Sequence, residues 1–198
     1  MDTYVYYAYG NQLYLNLTNR CCNRCDFCIR QGREGLEGHR LWIEQEPDFY
    51  AVKAQLPKNL EQYKEIVICG FGEPTYNLDT LVKIGRFLKV LGHDVRLNTN
   101  GMGNLIHGRD ITDDLLGAVD TVSISLNASN AEKYQEICHC VYGKEGYESM
   151  LRFAALCKEK CYNVVLSVVD SIGEDEIQKC RTLCKTMDLP LRVRPWEK

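Results

Sequence analysis

The chain has 198 residues, with 24 lysines and arginines against 27 aspartates and glutamates and a formal net charge of -3. Acids and bases are interleaved, so the basic footprint that nucleic-acid backbones require is missing, and no apolar run reaches the roughly 18 residues of a membrane-spanning helix. The length suits one hydrophobic core and a single domain over residues 1–198, and the start MDTYVYYAYG lacks the charged n-region of a secretory signal, so a cytoplasmic protein without nucleic-acid or membrane partners is expected.

Tyr4 to Ala8 and Leu13 to Thr18 are rich in β-formers and flank Gly10-Asn11, which predicts an N-terminal hairpin. Four thiols follow within CCNRCDFCIR (21–30), and then a loop rich in glycine and charge, QGREGLEGHR (31–40). Pro47 is expected at a first helical position, with Phe49, Val52 and Leu56 on one face before Pro57 stops the turn. Short apolar runs that read as buried parallel strands come at EIVIC (65–69), VRLNTN (95–100), TVSISLN (121–127), NVVLSVVD (163–170) and LRVRPW (191–196). Between them lie three helical stripes: Leu81, Ile84, Leu88 and Leu91, closed by Gly92; Met150, Phe153, Cys157 and Cys161; and Ile177, Cys180, Cys184 and Met187. Strands alternating with helices predict right-handed crossovers and a parallel sheet. With YLNLT (14–18) there are about six such strands, fewer than a closed TIM barrel has, which leaves an open doubly wound sheet or a curved partial barrel.

Eleven cysteines, an odd number without an export signal, favour metal over a disulfide framework. Soft thiolates suit iron–sulfur clusters. Cys22, Cys25 and Cys28 match the start of the bacterial ferredoxin run, but Gly32 stands at its fourth position. Cys21, Cys25 and Cys28 stand instead at C-x3-C-x2-C. Structural zinc would have to join them to a distant ligand such as His39, and one crowded loop without a second C-x2-C pair suits a zinc ribbon poorly. Three thiolates on a 4Fe-4S cube leave one iron without a protein ligand, and an open position is what a reaction needs. Cys157, Cys161, Cys180 and Cys184 coincide with apolar stripes and are expected in the core. Cys138 and Cys140, in EICHCVYG, lie off any stripe and read as inert loop thiols, with a hydrogen-atom donor as the other reading.

CGFGEPT (69–75) follows a strand, where glycines let the backbone approach a ligand and Pro74 fixes the chain. Thr75 occupies the place of the third glycine of a dinucleotide loop, which disfavours that reading. Arg96, Asn98 and Asn100 share one strand face, and Ser123, Ser125 and Asn127 share another. Such rows line a polar ligand or face solvent at an edge. Arg192 and Arg194 also share a face and suit a carboxylate. All these residues fall toward the carboxyl ends of their strands, the functional end of parallel βα folds.

C-x3-C-x2-C with an aromatic residue, Phe27, before the last cysteine resembles the signature of the radical S-adenosylmethionine (SAM) enzymes, and GFGEP resembles their GGEP motif with Phe71 replacing a glycine. The resemblance implies an α/β fold, a partial (β/α)6 TIM-like barrel preceded by the hairpin. It also implies a 4Fe-4S cluster on Cys21, Cys25 and Cys28, with Cys22 outside the ligand set, and oxidoreductase chemistry in which SAM is cleaved to a 5'-deoxyadenosyl radical that abstracts hydrogen from substrate. SAM contacts are implied at Phe27, Gly70, Gly72, Glu73, Asn100, Ser125, Asn127, Val193 and Arg194, and an electron donor such as flavodoxin or ferredoxin is implied as partner. LNLTNRC (15–21), CIR, RLWIEQEP (40–47), GFGEPTYNLD (70–79) and RVRPW together resemble the radical SAM proteins associated with TatD-family hydrolases, which implies a minimal core domain and a functional link to such a hydrolase. A non-enzymatic iron–sulfur or zinc protein, acting as electron carrier or adaptor, is the competing expectation.

Overall fold

In the computed structural model, which describes residues 6–9, 11–36 and 38–196, β1 (Tyr6–Tyr9) and β2 (Gln12–Leu15) form an antiparallel hairpin with Tyr9 opposite Gln12. Tyr4, Val5 and Gly10 of the expected hairpin lie outside the described residues. The second arm stops at Leu15, short of Thr18, because the Asn16 side chain takes over the bonding. Its amide donates to the Leu41 carbonyl at 2.6 Å and its carbonyl accepts the Phe71 N–H at 3.3 Å. The glycine-rich loop is not wholly irregular, since β3 (Gly35–Leu36) and β4 (His39–Arg40) pair as a short ribbon.

From β2 onward the main sheet is parallel. β5 (Glu65–Ile68), β6 (Asp94–Thr99), β7 (Thr121–Ser125), β8 (Asn163–Val169) and β9 (Leu191–Arg194) follow in the order β1-β2-β5-β6-β7-β8-β9. The five apolar runs read as strands thus supply five neighbouring strands. The sheet is open, with β1 and β9 at its edges, as a partial barrel requires.

The helices follow their apolar stripes, with corrections at the ends. Asp48, not Pro47, starts α1 (Phe49–Gln55): its carboxylate accepts the Ala51 N–H at 2.8 Å, and Pro47 lies one residue before this cap. In α2 (Leu78–Val90), Leu81, Ile84 and Leu88 are fully buried, whereas Leu91 falls past the helix and is 51% exposed; Gly92 then turns the chain with φ 89°. Two helices have no counterpart in the periodic reading, α3 (Gly103–His107) and α4 (Ala131–Cys138). α5 (Gly143–Glu159) buries Met150, Phe153 and Cys157 but ends before Cys161, which is exposed in a left-handed turn. α6 (Glu174–Met187) buries Ile177, Cys180 and Cys184.

One face of the parallel strands packs on these helices. Leu13, Leu15, Ile66, Ile68, Val95, Leu97, Val122, Ile124, Val164, Leu166 and Val168 join the helical stripes in a single core. Each such side chain contributes about 1.5–3 kcal/mol by leaving water. Strand side chains alternate, so Tyr14, Cys69, Arg96, Asn98, Ser123, Ser125, Ser167, Arg192 and Arg194 point to the other face, where they line an interior cavity. The polar rows therefore face a lumen, not a solvated edge. Among the described residues no helix is long and apolar enough to cross a membrane.

Candidate functional site

The carboxyl ends of the strands and the cysteine loop enclose a cavity of about 420 Å³. Of the residues singled out from the sequence, Cys21, Cys25, Cys28, Phe27, Gly70, Gly72, Glu73, Asn100, Ser125, Asn127 and Arg194 all line it. Val193 does not: its side chain points to the opposite strand face and packs against the apolar core. A hollow of about 540 Å³ beside the β3/β4 ribbon is lined by Glu34, Gly35, Gly38, His39 and Arg40, and His39 is not among the residues that line the thiol cavity.

The cysteine loop is held by backbone bonds from places the sequence does not advertise. A helix leaves its last carbonyls without intrahelical partners. At the end of α4 the Cys138 and Ile137 carbonyls accept the Arg24 and Asp26 N–H groups at 2.9 and 3.0 Å, and the Val141 N–H donates to the Cys22 carbonyl at 2.9 Å. Arg30, of the CIR triplet, donates to the carbonyls of Asn19, Asn23 and Phe71 at 3.1 to 3.3 Å and so ties the loop to the GFGEP turn.

Cys22 is turned away from the cavity and is 2% exposed within the core. Its sulfur accepts the Asn100 amide at 3.2 Å. The Cys22 thiol holds its neighbour Cys21 below the ordinary thiol value, burial pushes Cys28 up, and the adjacent Cys138 thiol together with burial pushes Cys25 up. Cys138 and Cys140 are both buried; Cys140 lies in a loop as expected, whereas Cys138 is the last residue of α4 and packs in the core.

The GFGEP turn is shaped by its own chain. A Cβ at Gly70 would overlap the Asn16 side chain, and one at Gly72 would collide with the Thr18 and Arg20 carbonyls. Glycine is required there so that two stretches of backbone can meet, a different reason from the close approach to a ligand read from the sequence. Phe71 is 3% exposed and packs edge-on against Trp42, with ring centroids 5.2 Å apart. Glu73 is buried and accepts four hydrogen bonds, from Thr75 N–H at 3.2 Å, Thr75 hydroxyl at 2.8 Å, Thr99 hydroxyl at 2.7 Å and Asn100 N–H at 2.6 Å. Burial pushes its carboxyl up, and these donors oppose the shift. The carboxylate thereby locks the turn after β5 to the end of β6.

Several buried polar atoms around the cavity find no partner among the described residues: Asn98 Oδ1, Asn127 Oδ1, Arg96 Nε and Asn23 Oδ1. An unsatisfied buried polar group costs about 1–3 kcal/mol, so their concentration here marks a surface built for a polar ligand. Asn127 adds backbone strain of the kind that gathers at functional sites, with φ 59° beside the cavity. Three thiols, the unpartnered Asn98 and Asn127 carbonyl oxygens and an arginine-bearing wall fit a thiolate-held cluster with a polar cofactor beside it. Among the described residues no three His, Cys, Asp or Glu side chains are gathered in a manner to hold a single metal ion.

Cys69, Tyr14 and Ser167 also line the cavity but were not singled out from the sequence. The alternation of β2, β5 and β8 points to them once the polar face of β6 and β7 is taken as the lumen. Of the cysteines on the helical stripes, Cys161 is exposed and the other three are in the core, as expected. Cys157, Cys180 and Cys184 are buried among apolar residues, which pushes their thiols up to about 12, 12 and 11.

The GTP 3',8-cyclase of Aquifex aeolicus is 28% identical over 184 residues, 91% of this chain and 54% of the cyclase. A putative glycyl-radical enzyme activating enzyme of Methanocaldococcus jannaschii is 30% identical over 130 residues, 63% of this chain and 51% of that protein. The crystal structure of SuiB from Streptococcus suis bound to S-adenosylmethionine superposes with a TM-score of 0.72 at 14% identity, covering 95% of this chain and 41% of SuiB. The chain spans about half the length of these two curated relatives. The Radical SAM superfamily profile matches residues 15–181, and the chain belongs to that superfamily, whose cofactors are a 4Fe-4S cluster and SAM.

Proposed function

We propose that the chain is a radical SAM enzyme that cleaves SAM reductively and starts hydrogen abstraction on a substrate held in the lumen. The observation that carries this is the convergence on one cavity of the three loop thiols and the unpartnered polar atoms of Arg96 and Asn98 on β6 and of Asn127 just past β7. When bound, the cluster and SAM together supply one-electron cleavage of the sulfonium to a 5'-deoxyadenosyl radical. Cys21, Cys25 and Cys28 hold the cluster; Cys22, packed in the core, stays out of the ligand set. Ser125, Asn127 and Asn100, all lining the cavity, would bind the ribose and methionine groups, Arg194 would pair with the carboxylate, and Phe27 would contact the adenine. For Val193 only the backbone can serve, because its side chain belongs to the core. Glu73, Gly70 and Gly72 fix the turn that carries the amino end of SAM.

An electron carrier or zinc adaptor needs no amide-lined cavity, so the unpartnered Asn98 and Asn127 oxygens favour the enzymatic reading over it. A low-potential donor such as flavodoxin or ferredoxin supplies the electron, and residues 1–198 act as one domain. The finer link to a TatD-type hydrolase is supported by its motifs. RLWIEQEP contacts LNLTNRC where Glu46 accepts from Arg20 and Thr18, and contacts GFGEPTYNLD where Asn77 donates to the Pro47 carbonyl at 2.9 Å. Capture of a TatD-type hydrolase by the tagged chain, against no capture by an unrelated radical SAM protein, tests that link.

Anaerobic reconstitution with iron and sulfide followed by dithionite and SAM tests the activity. Release of 5'-deoxyadenosine is expected; an intact cluster that yields none contradicts the proposal.

A further inference from the structure

Below the proposed SAM contacts the lumen continues to a floor with a different chemistry. Tyr14 on β2, Arg96 on β6 and Arg192 on β9 all line the cavity; Arg96 and Arg192 come one inward-facing strand position before Asn98 and Arg194, and Tyr14 is in register with Arg96 through Val67. Their proximity is also electrostatic: the Tyr14 phenol, raised first by burial, feels Cys69, Arg96, Arg192 and Glu65. Arg96 spends one terminal nitrogen on Glu65 at 3.2 Å and on Gln12 at 3.2 Å, while its Nε is buried without a partner among the described residues. Arg192 lines the cavity yet is largely exposed, so it brings charge without a buried counter-ion.

The wall lining therefore carries three arginines, and the carboxylates near it are Glu65, engaged by Arg96, and Glu73, engaged by Thr75, Thr99 and Asn100. Arg192 makes no ion pair among the described residues and adds positive charge to this wall. Beside these groups the cavity is lined by the rings of Tyr14 and Trp196, with Tyr14 backed by the buried Tyr7, stacked at 5.1 Å between centroids and 22° between planes. Rings of this kind and guanidinium planes both take a flat, unsaturated partner.

We propose that the lumen floor between Tyr14, Arg96 and Arg192 binds the acidic group of a small planar substrate, a ring bearing a carboxylate or phosphate, whose ring lies along the aromatic wall. The inference rests on the radical SAM reading of the upper cavity and deepens it by naming the substrate class. The guanidinium of Arg192 and the spare Nε–H of Arg96 are donors suited to a carboxylate or phosphate oxygen.

The test uses the full chain, cluster-loaded and saturated with SAM, under anaerobic conditions. Calorimetric titration compares 4-hydroxybenzoate with 4-hydroxybenzamide, and guanosine monophosphate with guanosine. One charged probe should bind at least about tenfold more tightly than its uncharged counterpart, and which pair shows it assigns carboxylate or phosphate. Arg192→Gln should erase that preference with an unchanged melting temperature, and Arg192→Lys should restore part of it. No preference in either pair, or a preference that Arg192→Gln leaves intact, overturns the proposal. Formation of 5'-deoxyadenosine by the wild-type chain is scored separately. Cleavage without anion preference refutes the substrate class alone, whereas anion preference without cleavage supports the floor site and refutes the enzymatic reading above it.

Discussion

The two faces of the parallel sheet come from the same strands and have opposite chemistry. On β6, Val95 and Leu97 are buried against helices, while Arg96 and Asn98 face the lumen, each with a buried polar atom left unpartnered among the described residues. The outer face is an apolar surface whose packing stabilises the fold. The inner face keeps unsatisfied polar atoms that cost stability, which a bound ligand would offset. Fold and site are thus separable by one residue step along a strand.

Breaking the inner face at the cysteine loop should have the largest effect. Cys25→Ser should lose nearly all iron on reconstitution, measured by iron and sulfide content, while Cys22→Ser should load like wild type because Cys22 lies outside the cavity. Next comes the direct contrast on β6. Leu97→Ala should cost about 2–5 kcal/mol in chemical denaturation and leave the affinity for SAM within a few-fold. Asn98→Ala should cost less stability than Leu97→Ala, since it removes an unpaired buried oxygen along with a side-chain bond to Cys69, and, because Asn98 lines the same cavity as the proposed SAM contacts, it should weaken SAM binding by equilibrium dialysis. Equal stability loss from both would erase the distinction between the faces. In the helical core, Cys180→Ala should cost about 1 kcal/mol and retain full iron loading.

The smallest effect lies at the knot that braces the loop. Burial pushes Glu46 up, but hydrogen bonds from Arg20 and Thr18 outweigh it and hold the carboxyl below its ordinary value. A carboxylate depressed in the folded state stabilises the fold above its unfolded value, about 4.3, and that contribution is lost as pH falls through the lower folded value. Glu46→Gln should therefore melt slightly below wild type at neutral pH and converge with it in acid; a gap that widens in acid would contradict the assignment.

Much of the fold was legible because strands and helices here bury strict periodic stripes. α4 escaped because Tyr134 and Cys138 are its only buried side chains, too sparse for a stripe. The start of α1 was misplaced by reading Pro47 as the signal, when the Asp48 carboxylate supplies the cap. At the site, the thiol spacing and the strand-end amides identified a shared cavity. The sequence could not show that Gly70 and Gly72 accommodate Asn16, Thr18 and Arg20, since such close approaches join residues far apart in the chain. Val193 was named with the strand end, yet alternation places its side chain in the core.

The central claim is that three loop thiols hold a cluster whose remaining iron faces the amide-lined cavity and takes SAM. Electron–nuclear double resonance on the reduced, reconstituted chain with SAM labelled at its amino nitrogen reads this directly. The account predicts a resolved nitrogen coupling to the cluster in wild type and in Cys22→Ser; an intact cluster with no such coupling, or one carrying a fourth protein ligand, would contradict it.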